Sequence, residues 1–414
     1  MKILRNYIDK IKPNFEASGK FSMFHSLFEG LESFLFVPNK TSKTGVHIHD
    51  AIDSKRVMSI VVIALMPCLL FGMYNTGYQH YLSIGESPGF WSTFIFGFLA
   101  VIPIVAVSYI VGLGIEFTVA QYRGHEVQEG FLVSGILIPL IVPIDTPLWM
   151  IALATAFAVV FAKEVFGGTG YNIWNVALIA RAFLFFAYPT KMSGDTVFVK
   201  TGSVFGIGGG QIVDAYSGAT PLGEIGTATT SIQIKDIVGN PLDYWDLFIG
   251  LIPGSIGETS KLCILLGAII LLVTGIASWR IMISVFAGGI LTVLFFNSIG
   301  SNLAMQIDPL QQILMGGFAF GAVFMATDPV TACRTEPGKY IFGFLTGAFA
   351  MMVRVLNPGY PEGMMLAILF MNSFAPLIDY TVVESSIRRR RRRRTGKYKN
   401  ICHCGPDPQS TEKL

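Results

Sequence analysis

The chain has 414 residues, of which 52% are hydrophobic and only 14% charged, and its mean hydropathy is positive. That is more apolar matter than a water-soluble fold of this length carries, so a soluble enzyme and a nucleic-acid binder are both excluded. The formal charge is only +3, with the basic residues gathered in the first 56 positions and at Arg388 to Arg394.

Residues 1–56 are polar and basic and lack the short apolar core of a cleavable signal, so they are expected to form a cytoplasmic arm. Within the arm Phe21, Phe24, Phe28, Leu31 and Leu35 keep a helical period. This predicts an amphipathic helix on the inner membrane surface, on a partner, or on the rest of the chain. Apolar runs follow at 57–75, 90–115, 131–144, 148–166, 172–188, 261–278, 281–297, 311–326, 339–355 and 363–378. The fold class is therefore an all-α polytopic membrane protein of about ten transmembrane helices. The run at 131–144 is short, and "LFIGLIPGSIG" from Leu247 to Gly257 is shorter and broken by proline and glycine. Broken backbone of this kind lines a cavity in preference to facing lipid, where its polar groups would be unpaired.

Two stretches resemble one another: "KEVFGGTGYNIWNVALIARAFLFFAYP" from Lys163 and "VRVLNPGYPEGMMLAILFMNSFAPLID" from Val353. Each runs through a Gly-Tyr turn, Gly170-Tyr171 and Gly359-Tyr360, into an apolar helix, and each follows a glycine-bearing segment ending in a proline turn. The chain thus reads as two five-span repeats, 57–188 and 261–379. An odd span count per half inverts the second copy. Between them, 189–260 is expected to be an external loop with a short re-entrant segment, and 380–414 a basic, disordered tail. With both termini in the cytoplasm, the positive-inside tendency is satisfied.

Carboxylates at membrane depth are costly and raise a functional hypothesis by default. Those in or near the runs include Glu116, Glu126, Glu129, Asp145, Glu164, Asp328, Glu362 and Asp379. Each also has a bland role open to it: Asp328, before Pro329, suits a helix start, and Glu164 sits beside Lys163 for a local ion pair. Cys68, Cys263 and Cys333 are isolated and read as small core residues, and no metal site is assigned.

The external loop contains "DAYSGATPLGEI", Asp214 to Ile225. By elementary chemistry this is a turn, with Gly218 free to bend and Thr220 held extended by Pro221. The run D-x-x-S-G-A-T also resembles the signature at which a flavin transferase joins FMN to threonine through a phosphoester. With it stand "GHEVQEGFLVSGILIPLIVP", "AKEVFGGTGYN", "RAFLFFAYP", "IPGSIGE", "GIASWRI", "GGFAFGAVFMATDP" and "NPGYPEGMMLAILFMNSFAPLIDY". Over about residues 1–395 the chain resembles the family of membrane FMN-carrying B subunits of sodium-translocating NADH:quinone reductases.

That resemblance implies covalent FMN on Thr220, with Asp214, Ser217, Gly218 and Ala219 as recognition residues for the transferase. It implies a second flavin, riboflavin, and quinone reduction, for which the "FGGTGYN" turn (Phe166 to Asn172) and the region after "GHEVQEG" are the places to look. It also implies sodium passage through Glu29, Glu129 (or Glu126), Asp328 and Asp379, and a multi-subunit complex in a bacterial inner membrane whose NADH site lies on another chain. The D subunit of the related ferredoxin:NAD oxidoreductase shares the threonine motif, and a flavin-free channel or transporter would suit inverted repeats. One departure stands out: Asn175-Val176-Ala177 replaces the family's usual Asn-Pro-Ala, which puts that helix start in doubt.

Overall fold

The computed structural model describes residues 10–14, 28, 54–123, 130–193, 197–213, 216–227, 235–357, 359 and 362–401, with side chains of the last helix to Arg393. The amphipathic helix expected from Phe21 onward lies outside the described residues except for Phe28, which is helical. Among the described residues there are helices and two isolated β-bridges but no named strand.

The first half opens with two long apolar helices, α1 (Ser54–Ser83) and α2 (Phe90–Arg123). A short α3 (Phe131–Ile141) follows, then α4 (Leu148–Phe157), which runs directly into a π-helical stretch, Ala158–Glu164, and then α5 (Val176–Ala187). The connecting region carries a four-residue helical turn, Pro189–Met192, and the small helices α6 (Pro221–Thr227) and α7 (Tyr244–Ile249). The chain continues with α8 (Lys261–Val273), α9 (Trp279–Ile299) and α10 (Pro309–Leu314). It ends with α11 (Glu336–Leu356) and α12 (Met364–Ile401). Among the described residues five helices, α1, α2, α9, α11 and α12, are long and apolar enough to cross a membrane, and α3, α5 and α8 are shorter apolar helices. The protein is an all-α, multi-pass membrane protein.

Each apolar run read from the sequence corresponds to one of these elements. The run at 311–326 is in pieces: Met315 is extended, Gly316 takes a left-handed φ of 62°, and the chain restarts as Phe318–Phe320 and a π-helical Gly321–Met325. The start of α5 is intact without proline, because Asn175 caps it, accepting hydrogen bonds from the Ala177 and Leu178 amides at 3.0 and 3.3 Å. Proline at a first helical position is a convenience, since that amide is unpaired in any case. The tail differs from expectation: α12 continues through the arginine run to Ile401 in place of the disorder expected from residue 380. Arginine is a good helix former, and Arg388 reaches back to Glu384 at 3.0 Å, one turn away.

One apolar core draws on α1 to α5, α8, α9, α11 and α12, and Cys68, Cys263 and Cys333 are buried in it as free thiols. The α1 helix packs on α8, and α5 on α12. Packing between α9 and α11 is backbone on backbone, since a Cβ on Gly347 would stand 2.0 Å from the Val285 carbonyl oxygen. Gly347→Val is expected to destabilise by about 3 kcal/mol, the upper end of overpacking, because a carbonyl cannot rotate away as a side chain can. An unchanged thermal midpoint in detergent would refute this account of the contact.

Candidate functional site

Thr220 stands at the head of α6, and its local structure follows from its neighbours. Pro221 holds it extended, its Oγ1 accepts the Gly223 amide at 3.1 Å, and its carbonyl accepts the Glu224 amide at 3.0 Å. The Ser217 hydroxyl accepts the Ala219 amide at 3.5 Å, Gly218 is buried, and the Ser217 amide donates to the Ile237 carbonyl at 3.2 Å. Asp214 lies outside the described residues. The turn is seated firmly: Leu222 and Ile225 of α6 pack with Leu247, Ile252, Ile307, Leu314 and Met315 in a second apolar cluster. A cavity of about 380 Å³ lies against α6, with Leu222, Ile225, Gln312 and Arg354 in its lining.

Directly below α6 the broken segments of the two halves meet around buried charge. Arg181 of α5 donates to Glu258 at 2.7 Å and pairs with Glu362, and all three side chains are at most 17% exposed. Arg354 of α11 donates to the Gln312 carbonyl and, at 3.4 Å, to the Glu362 carbonyl. Lys261 at the start of α8 donates to three backbone carbonyls. Leu222 rests on the Gly316 turn so closely that a Cβ on Gly316 would stand 2.4 Å from its Cδ1. The threonine turn and the ionic cluster are thus in mechanical contact. Other cross-links hold the broken segment: Asn75 of α1 donates to the Ile252 carbonyl at 2.9 Å, and the Gly257 amide donates to the Leu140 carbonyl at 2.8 Å.

A second centre lies toward the other end of α8, about 15 Å along the helix from Lys261 to Leu271. There a cavity of about 90 Å³ is lined by apolar Val57, Val61, Leu137 and Phe324 together with Lys163, Thr169, Asn172, Asn175 and Asp328. Two motifs far apart in sequence, "FGGTGYN" and "MATDP", converge on it. Asp328 accepts the Val330 amide at 3.1 Å, the Thr331 hydroxyl at 3.1 Å and the Asn175 amide nitrogen at 3.4 Å. The last bond joins the two halves.

Lys163 pairs with Glu116 of α2, both side chains 4% exposed. The local pair of Lys163 with Glu164 does not form; Glu164 meets Arg123 at 3.7 Å instead, because the π-helical stretch turns successive side chains to different faces. Asp145 pairs with Lys200 of the connecting region at 2.5 Å. Asp379 lines neither cavity: it accepts the Arg334 amide at 2.8 Å, the Thr335 amide at 3.0 Å and the Thr335 hydroxyl at 2.5 Å, fixing the turn that leads into α11. Asp379→Ala is expected to cost about 1–2 kcal/mol through loss of these hydrogen bonds, with Asp379→Asn recovering part of it, as thermal unfolding would read. Glu29, Glu126 and Glu129 lie outside the described residues.

Sequence reasoning passed over Arg181, Glu258, Lys261 and Arg354. The available signal was the cations inside apolar runs, as costly there as carboxylates.

Known proteins match the chain along most of its length. The profile of the NQR2, RnfD, RnfE family matches residues 41–388. The chain is 44% identical over 413 residues to the B subunit of the Na(+)-translocating NADH-quinone reductase of Chromohalobacter salexigens, covering 94% of this chain and 96% of that protein. It is 45% identical to the B subunit from Ectopseudomonas mendocina and 42% to that from Azotobacter vinelandii, in both cases covering 94% of this chain and 98% of the relative. The chain belongs to the NQR2, RnfD, RnfE family, and these relatives are B subunits of Na(+)-translocating NADH-quinone reductases.

Proposed function

We propose that the chain is the membrane electron-transfer subunit of a sodium-pumping NADH:quinone oxidoreductase, with FMN attached covalently to Thr220. The observation that carries this reading is a threonine hydroxyl, half-buried at the head of an anchored helix, inside the S-G-A-T turn of a chain whose relatives are reductase subunits. The turn fits the group. Gly223 keeps the space beside the hydroxyl open, since a Cβ there would stand 3.3 Å from Oγ1. An ester oxygen at that position can still accept the Gly223 amide.

Attached there, FMN supplies electron transfer that no side chain of the protein can perform. The protein's own part is placement: the covalent bond prevents loss between turnovers, and the apolar seat of Leu222 and Ile225 fixes the attachment point. Asp214, Ser217, Gly218 and Ala219 present the hydroxyl to a flavin transferase. The cavity at Asp328 has the chemistry of a contact for a flat redox ring, riboflavin or quinone, with apolar walls and Lys163, Asn172 and Asn175 as donors, but at about 90 Å³ it has to widen to admit one. Sodium is the cargo, and Glu29, Glu129, Asp328 and Asp379 are assigned to its uptake and passage. A hard cation takes oxygen ligands, which carboxylates and broken backbone supply. Export against a gradient requires two arrangements with different ion affinity, and the elements free to rearrange are the broken segments at 250–260 and 315–317.

Thr220 is assigned to the outer face of the bacterial inner membrane and both termini to the cytoplasm, a reading supported by the basic residues gathered near both ends of the chain. NADH is oxidised on a partner subunit.

Protein from native membranes, or co-expressed with a flavin transferase, should give a band fluorescent under ultraviolet light on a denaturing gel. Mass spectrometry should find FMN mass on the Thr220 peptide. An unmodified Thr220 would overturn the reading and favour a flavin-free transporter.

A further inference from the structure

The last helix outruns the bundle that holds it. Asp379 accepts the Arg334 and Thr335 amides and so marks the level at which α11 begins. Arg280, at the start of α9, pairs at that level with Glu336, and the two side chains are 34% and 54% exposed. Exposed ion pairs of this kind stand where the apolar surroundings of a helix bundle end. Beyond them α12 continues as helix through Arg393, about 20 Å farther at 1.5 Å per residue.

Two properties of this projecting piece are costly in water. Tyr380, Val383 and Ile387, spaced to share one face, are 66%, 47% and 38% exposed. Seven consecutive arginines follow, Arg388 to Arg394, and their described side chains, to Arg393, are all exposed. Like charges three and four residues apart repel one another on a helix, and Glu384, 3.0 Å from Arg388, is the last acid before Asp407. An apolar face with a dense cationic end is the make-up of a helix that lies in a headgroup layer, apolar side toward the acyl chains and guanidiniums on phosphate. We propose that residues 380–394 dock on a layer of acidic phospholipid at the end of the bundle. The bilayer is the partner, and not an acidic protein face, because the segment grows out of a helix long and apolar enough to cross a membrane and so starts at the headgroup level. Pro376, one turn before Tyr380, supplies the point at which the helix bends toward that layer. Lipid phosphates then neutralise the repulsion among the arginines, and the helix persists through them.

The arginines themselves serve as the probe, since trypsin cuts after each. Full-length protein is placed in nanodiscs of phosphatidylcholine alone or mixed with phosphatidylglycerol. Cutting within 388–394 is followed by mass spectrometry relative to cutting after Lys235, an exposed residue of the connecting region. Phosphatidylglycerol should slow cutting in the run about tenfold on that ratio, because each basic residue near an acidic surface contributes about 1 kcal/mol. Concentrated sodium chloride should restore the cutting, and inorganic phosphate added to phosphatidylcholine discs should not slow it. The triple variant Tyr380→Ser, Val383→Asn, Ile387→Asn keeps every arginine and changes only exposed positions, and it should lose most of the protection. The proposal is overturned if the run is cut at the same relative rate in both lipids, if inorganic phosphate alone protects it, or if the triple variant is protected as wild type is. Protection that appears in the assembled complex whatever the lipid would also overturn it and assign the segment to a partner subunit.

Discussion

Arg181→Met will cost the protein about 3–5 kcal/mol, enough to abolish assembly at ordinary growth temperature. The side chain is 6% exposed and lies between two carboxylates, Glu258 and Glu362, that come from different parts of the chain. Methionine fills much of the volume but leaves both acids in a low-dielectric interior with one countercharge fewer, and the uncompensated charge makes the loss large. Neutralising the acids as well, with Glu258→Gln and Glu362→Gln, removes the stranded charge and should recover most of the loss. A double-mutant cycle on thermal midpoints in detergent measures this. A loss below about 1 kcal/mol for Arg181→Met would mean that the cluster is solvated in the membrane and bears little of the fold's stability.

Thr220→Ala separates chemistry from structure. In the fold the substitution removes one capping bond, from the Gly223 amide, and should cost only about 1 kcal/mol. In function it should remove the fluorescent band and reduce NADH-driven quinone reduction by the assembled complex to background. Thr220→Ser keeps the cap and a hydroxyl at the same place, so any stability loss in the alanine variant should be recovered by serine. An alanine variant that assembles, lacks the fluorescence and still reduces quinone at the wild-type rate would sink the role given to Thr220.

The spans were legible because hydrocarbon imposes a composition that can be counted, and the weak ones announced themselves: the short α3, and the proline and glycine of residues 247–257. Three-dimensional meeting was not legible. Glu362 and Glu116 were recognisable as acids at membrane depth, but nothing in their spacing pointed to Arg181 or to Lys163 as the partner. Glu258 was missed because it lies in a broken segment outside any apolar run, although the break is the reason it is buried. Lys163 and Glu164 show the limit from the other side. Adjacent opposite charges suggest a pair, yet neighbours on a helix face different ways. The extended basic helix was hidden for a different reason, since composition gives charge without giving the backbone propensity of arginine its due.

The two π-helical stretches, Ala158–Glu164 and Gly321–Met325, place Lys163 and Phe324 on one cavity. A π turn holds about one residue more than an α turn, so each stretch stores a surplus residue. Returning it to α geometry would rotate whatever follows by about 100°. Aim at the cavity is therefore set by the number of residues in these stretches as much as by their identity. A single-residue deletion ahead of Lys163 in the first would leave the flanking helices unchanged in sequence and still swing Lys163 away from Glu116.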